Sequence, residues 1–582
     1  VLTREPVGRI CPIEPARMFG RTVLQWDKED CAWMGLVKFD LLGLGMLSAL
    51  SISFDLISQH CGRFWTLASI PRNEPGVYDM LCRGDSIGVF QVESRAQIGA
   101  LPRLKPRCFY DLAVEIGLIR PGPVQGGAVH PYIRRRTGAE PVTYPHPLLE
   151  PVLERTLGIP LFQEQLMQMA TTVGNCTAAD ADLLRRAMGS KRRVERIDSL
   201  CTKLFEGMAA NGIDDDTAQG IYARIESFAN FGFAESHALS FAGLVYTSAW
   251  IKLHYPAVFL AALLRSQPMG FYSSATLVAD ARRHGVVTRR PDVARSSVGA
   301  DLELLDACCE ELGSEELETG IDECLHDHDE SEIGAFDPNR DDGDHRRDTH
   351  FAVRLGLSDV SGISIETATR IVEERERESF VSLDDLARRV DLSGEEVEAL
   401  ALAGAFDDLV GSRRGALWQI GQINGVGPGQ LDVQVVTQPP LLPEPTQMEL
   451  LGDDLRATSI STTDHPVRQV RDALNRRGVV QVDRLDGVEA RRRIEVAGVV
   501  THRQRPGTAG GVTFLNLEDE TGLLNVIVTP GVWRHYRRVA RASRALVVRG
   551  ILERGNEGVM SLQADRLEAL DLSVPTKSRD FR

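Results

Sequence analysis

Apolar and polar positions divide the chain into regions of different period. Leu36, Val37, Phe39 and Leu41 form a short apolar run rich in strand formers and closed by Gly43, which predicts a buried strand leading into a turn. From Met46 to about Arg289 apolar residues recur at helical spacing, with Gly and Pro between segments. Helical spacing returns at Phe351, where 357–364 opens a helix running through Arg370 to Glu378. Residues 421–446 are Gly-, Pro- and Gln-rich and read as a linker. Beyond it, 493–501, 512–518, 523–529, 545–552 and 558–566 read as five strands, with a helical stretch at 532–542. Five short strands with one helix after the third fit an OB-fold, a barrel that commonly binds single strands through basic grooves and aromatic platforms. Arg503, Arg505, Phe514, Trp533 and Arg537 are candidates for that surface. Phe514 alternates with Val512, so a core position is its alternative.

Composition adds bounds. A chain of 582 residues without repeats, 43% hydrophobic, holds several cored domains. The most apolar stretch, 259–264 with the helix before it, is interrupted by Lys252 and His254 and cannot span a bilayer. Ten irregularly spaced cysteines suit free thiols in a reducing, cytoplasmic compartment. Val1 with no signal-like region after it leads us to expect a fragment lacking its N-terminal part.

The net charge of −16 argues against a nucleic-acid partner only until it is mapped. Residues 301–350 hold 19 Asp/Glu against 3 Arg, and the remaining residues balance at 63 acidic and 63 basic. An acidic, aromatic-poor block is expected to be a solvated, disordered insertion, here taken as 291–350. Its Cys308, Cys309, Cys324, His326 and His328 lack paired metal-ligand spacing and make a poor zinc pattern.

Candidate chemistry begins at the first apolar run. On a strand Lys38 and Asp40 share a face, a pairing suited to a phosphate and a divalent metal, or to a simple ion pair. Basic clusters follow at Arg134, Arg135 and Arg136, and at Arg185, Arg186, Lys191, Arg192, Arg193 and Arg196. Gln91, Glu93, Gln163 and Glu164 are either helix caps and packing residues or a polar network steering a site. His237 in 231–241 reads on its own as a core histidine.

Several ordered motifs carry a resemblance: Gln25 to Asp30 with Lys38 to Leu44, Gly88 to Ser94, Arg120-Pro121-Gly122-Pro123, Phe162 to Met167, and Asp182 to Gly189. Together they resemble the C-family bacterial DNA polymerases, the DNA polymerase III alpha subunit and its error-prone relatives. Residues 231–241, Gln267 to Tyr272 and Ser578 to Arg582 resemble the error-prone branch. The resemblance implies a multidomain α+β chain: the end of a palm at 1–45, mainly α-helical fingers at 46–290, a helix-hairpin-helix region at 351–420, a linker at 421–464, an OB-fold at 465–575 and a tail at 576–582.

It further implies a DNA-directed DNA polymerase of damage-induced, translesion type, using Mg²⁺ held by three aspartates. Asp40 matches the third, and the family's Asp-x-Asp pair lies upstream of Val1, so this chain alone is expected to be inactive. Lys38, Arg120, Arg185, Arg186 and Lys191 would hold phosphates, with Gln91 and Gln163 beside them. Gly362 would turn backbone N–H groups toward a DNA phosphate in half of a helix-hairpin-helix element, with 402–406 as its degenerate partner. Implied partners are primer-template DNA, deoxynucleoside triphosphates, single-stranded DNA at the OB-fold and accessory mutagenesis proteins. Gln447 to Leu451 resembles a sliding-clamp peptide, and the alternative is a short helix packing on the OB-fold. The rival reading of the whole is a non-catalytic DNA-binding adaptor.

Overall fold

The computed structural model describes residues 3–16, 20–36, 43–119, 129–187, 193–229, 233–305, 326–337, 345–423, 442–505, 510–555, 560–572 and 579–581. The chain forms two compact units, Val1–Leu47 with Gln125–Ala238 and Ser48–Val124 with Leu239–Arg582.

In the first unit, helices Gln163–Gly174, Ala178–Ala187, Arg193–Ala210 and Asp215–Ala229 enclose Leu149, Leu166, Met169, Val173, Leu204, Met208 and Ile221. A Cβ on Gly207 would stand 2.0 Å from the Gly174 carbonyl oxygen, so two of these helices cross where only glycine fits. Arg135 is tied down rather than presented: its guanidinium donates to the carbonyls of Leu157 at 2.6 Å and Thr143 at 3.2 Å and pairs with Glu140. Arg134 takes the other oxygen of Glu140 at 2.8 Å. Near the N-terminus, Ile13–Pro15 pairs antiparallel with Thr22–Leu24. The strand expected around Lys38 and Asp40 lies outside the described residues.

The second unit is built on Glu235–His254, from Leu239 onward, and Pro256–Arg265. The latter is buried at every position from Pro256 to Leu264, as an all-round apolar helix must be. Its N-terminus receives a cap from far along the chain: Asp348 Oδ2 accepts the N–H groups of Ala257 at 2.6 Å and Val258 at 3.2 Å.

That contact belongs to the segment expected to be a disordered insertion, an expectation that fails at both ends. Val293, Asp292 and Ser296 are buried. Asp301–Leu304 pairs antiparallel with Phe351–Arg354, with Leu304 opposite Phe351, and Thr288–Arg289 pairs on the other edge. Residues 305–350 are therefore the excursion between two paired strands. Glu303 supports the sheet by binding Arg289, Arg295 and Arg354, so part of the acidic excess is neutralised by local arginines.

Ser364, Ser382 and Ser393 each accept an N–H from the first turn and open helices Ile365–Arg377, Leu383–Val390 and Gly394–Leu402. These helices share a core of Leu357, Ile371, Leu386, Leu400 and Phe406. Gly362 has φ of 95°, which a side chain would strain. Helix Gln447–Ala457 belongs to the same body. Ala457 lies in that core, and buried Arg413 binds Asp454 at 2.8 Å. The alternative read for the clamp-like peptide is thus corrected in one respect, since the helix packs on the helix-hairpin-helix region and not on the OB-fold.

The C-terminal strands close a five-stranded barrel. Arg493–Gln504 pairs with both Thr513–Glu518 and Ala545–Arg554, while Met560–Ala569 pairs with Leu523–Val528 and Ala545–Arg554. Inward residues Val496, Val500, Leu515, Leu517, Val526, Val548 and Leu562 fill it. The expected single helix is two short ones, Pro530–His535 and Arg537–Ala542, and Trp533 packs on the barrel core. Arg579–Phe581 adds in parallel beside His502 to Gln504.

Candidate nucleic-acid interface

Sequence motifs far apart in the chain meet in the fold. In the first unit, Phe162 bridges Phe233, the Gln163 N–H donates to the Phe233 carbonyl at 2.9 Å, and the Glu235 N–H donates to Glu164 Oε2 at 2.8 Å. Glu164 thus caps the helix that carries His237, whose ring meets Phe233 edge-on at 5.2 Å. Gln165, which sequence reading passed over, is the buried member: Oε1 accepts from Leu161 and Phe162 while Nε2 donates to Val152 and Thr156. Its signal was its place at the third helical position, where a side chain reaches back to the free N–H groups of the helix start.

In the second unit, Gly88 to Ser94 and Gln267 to Tyr272 form one body. Glu93 Oε1 accepts the Phe271 N–H at 3.1 Å, and the Tyr272 hydroxyl donates to the Glu93 carbonyl at 2.9 Å. Gln91 sits half-buried with φ of 58° in this turn. Behind the turn, Lys252 Nζ is buried between Asp85 at 2.7 Å and Asp280 at 2.9 Å and donates to the Ile87 carbonyl at 3.1 Å. His284 Nε2 completes the group 2.6 Å from Asp85. Burial opposes the Asp85 charge, but Lys252 and His284 override it and hold the carboxyl well below the usual carboxylate range. Burial and the Lys252 charge lower the His284 pKa, but Asp85 outweighs them and raises it. This network anchors the Gly88–Ser94 turn.

Of the remaining candidates, Lys38, Asp40, Arg120 and Lys191 lie outside the described residues, and Arg185 and Arg186 fall on the helix Ala178–Ala187. In the barrel, Arg503 is corrected. It is buried, its Nε donates to the Ala540 carbonyl at 2.9 Å and its Nη2 to Ser543, so it locks Arg493–Gln504 to the end of helix Arg537–Ala542. Arg505 and Arg537 are exposed. Phe514 is not core: it pairs with Ile527 on the outer face, where Asn525, Ser561 and Gln563 are neighbours by register. A half-exposed aromatic among polar side chains, with exposed arginines elsewhere on the barrel, is what stacking on single-stranded bases requires.

A prediction separates the two arginines. Arg505→Ala should lower the salt slope of oligonucleotide binding by about one counterion, whereas Arg503→Ala should leave the slope and cost about 1–3 kcal/mol of barrel stability. Salt titrations paired with thermal melts check it, and a slope change confined to Arg503→Ala would reverse the assignment.

Helical fingers, a helix-hairpin-helix body and an OB-fold follow one another along the chain, the architecture of a modular nucleic-acid-binding protein. Matching families agree: "Bacterial DNA polymerase III alpha NTPase domain" over residues 1–43, "Bacterial DNA polymerase III alpha subunit finger domain" over 46–212, "Helix-hairpin-helix motif" over 285–416 and "OB-fold nucleic acid binding domain" over 494–570. The whole chain is 98% identical to an error-prone DNA polymerase of Cutibacterium acnes, covering 51% of that protein. It is 51% identical to one of Mycolicibacterium paratuberculosis and 48% identical to one of Corynebacterium glutamicum, covering 49% and 51% of them. The chain is similar to error-prone DNA polymerases along its whole length and spans about half the length of the curated relatives it matches.

Proposed function

We propose that this chain serves template-directed DNA synthesis of the error-prone, damage-associated type, supplying fingers, helix-hairpin-helix and OB-fold to a polymerase acting in the cytoplasm. The observation that carries the reading is the identity of 98% along all 582 residues to an error-prone DNA polymerase, with the three modules in order. In this reading Asp40 is a hard oxygen donor suited to Mg²⁺. When bound, that ion stabilises the attacking and leaving oxygens of an in-line displacement. Lys38, Arg120, Arg185, Arg186 and Lys191 are the cations suited to triphosphate oxygens, with Gln91 and Gln163 as further nucleotide-binding candidates. Gly362 shapes a backbone turn toward a DNA phosphate, and Phe514, Arg505 and Arg537 take the displaced or template single strand. Among the described residues no helix is long and apolar enough to cross a membrane. The test is primer extension by the full-length protein in Mg²⁺ with all four triphosphates. DNA binding without any extension would overturn the reading in favour of an adaptor.

For the clamp we favour recruitment through accessory mutagenesis proteins. Leu451 is buried, and Thr446 and Glu449 cap helix Gln447–Ala457 reciprocally, so a hook at Gln447 to Leu451 would first have to unwind. Leu451→Ala should therefore cost about 2–4 kcal/mol of stability, read by urea melts. Tight clamp binding by a peptide of residues 443–454, lost on that substitution, would restore the direct hook.

A further inference from the structure

Glu74, His254 and His345 converge inside the second unit, away from the turn and the barrel described above. Glu74 is the residue before helix Pro75–Cys82, and its N–H donates to the Tyr246 hydroxyl at 2.8 Å. His254 ends the Glu235–His254 helix and is completely buried under Trp250, ring to ring at 4.5 Å. His345 comes from the acidic excursion, within the first described residues after 338–344. Glu74 Oε2 lies 2.8 Å from His254 Nε2, Oε1 lies 3.4 Å from His345 Nδ1, and one ligand atom from each residue falls within 4.8 Å of the others. We propose that Glu74, His254 and His345 form a binding site for a borderline transition-metal ion of the Zn²⁺ type, which fastens the acidic excursion to the helices it crosses.

Three observations carry this. First, two imidazole nitrogens and one carboxylate are a donor set for Zn²⁺-like ions and not for Mg²⁺ or Ca²⁺. Metal–ligand bonds near 2.0–2.1 Å in a tetrahedral site put donors about 3.3 Å apart, close to the separations already present. Second, His254 Nε2 faces the Glu74 carboxylate while its Nδ1 lies 2.9 Å from the His345 carbonyl oxygen. Such a contact at the second ring nitrogen is the outer contact that commonly orients a ligating histidine. Arg347 also approaches, with Nε 3.2 Å from the same Nδ1. Third, room for His345 is made at Gly76, where a Cβ would meet its ring at 2.8 Å. The excursion also touches this place a second time. Asp327 accepts the Arg72 N–H at 2.8 Å, and the His328 N–H donates to the Arg72 carbonyl at 2.9 Å.

The full chain, free of any histidine tag and stripped by a chelator, would be titrated with Zn²⁺ and, separately, with Co²⁺. We expect about one equivalent retained per chain, visible Co²⁺ absorption of a low-coordinate site, and a melting temperature raised by Zn²⁺. His345→Ala should abolish all three, and Gly76→Ala, which keeps every ligand, should weaken binding at least about tenfold. His254→Ala strips the buried Glu74 of its partner and is not the discriminating variant. Should His345→Ala fail to fold, the imidazole resonances of His254 and His345 in the unaltered chain must move on adding Zn²⁺. Absence of a stoichiometric ion, equal affinity in His345→Ala, or unmoved resonances would leave a proton in place of the metal and overturn the proposal.

Discussion

On the proposed function, Asp40→Asn in the full-length protein is expected to reduce primer extension by roughly 10³-fold or more while leaving DNA binding within about twofold. A carboxylate ligand contributes both metal affinity and orientation, and the metal supplies several kcal/mol of charge stabilisation only in the transition state. Each 1.36 kcal/mol lost is about tenfold in rate, so loss of one ligand falls mainly on kcat. Asparagine keeps the size and one oxygen but loses the charge, which makes the substitution a test of metal binding and not of packing. Single-turnover extension alongside a gel-shift titration reads both quantities. Extension within about tenfold of the unaltered enzyme would remove Asp40 from the metal site and leave Lys38 and Asp40 as an ion pair.

Lys252→Met is expected to destabilise the second unit by about 3–5 kcal/mol, because it strands Asp85 and Asp280 inside the fold while keeping the aliphatic volume. The Ile87 carbonyl loses its donor as well, so the Gly88–Ser94 turn should loosen and limited proteolysis should open there first. The network also sets a pH dependence. His284 has its pKa raised from 6.5 by Asp85, so its contribution is fully present below about pH 6.5 and is lost as pH rises through the higher folded value. Asp85 has its pKa lowered from 3.8, so its contribution is present above about pH 4 and is lost only in stronger acid. Stability of the unaltered protein should therefore decline as pH rises above about 6.5, and His284→Gln should flatten that decline. Urea melts across this range read both, and a loss below about 1 kcal/mol in Lys252→Met would mean the two carboxylates find other partners.

The periodicities of the sequence determined the helical segments of 46–289, the helix that opens after 357–364 and the five barrel strands, because each is a local pattern of apolar spacing that neighbours in sequence decide. Several ordered motifs carried the resemblance to the C-family polymerases. Other matters were settled only by tertiary contact. Arg503 and Arg505 are alike in sequence, yet one lies under the carbonyls of Ala540 and Ser543 and the other at the surface, since alternation along a strand gives a side but not what covers it. The clamp-like Gln447 to Leu451 reads as a free peptide until Arg413, 41 residues before Asp454, pins the helix that contains it. The acidic segment 301–350 looked solvated because charge density was averaged over 50 residues. Single members, Glu303, Asp348 and His345, reach arginines, a helix start and a buried carboxylate that no window of sequence contains. Local free-energy terms fix which element forms, whereas the partner of a charged group depends on chain segments hundreds of residues away, and burial makes that choice decisive.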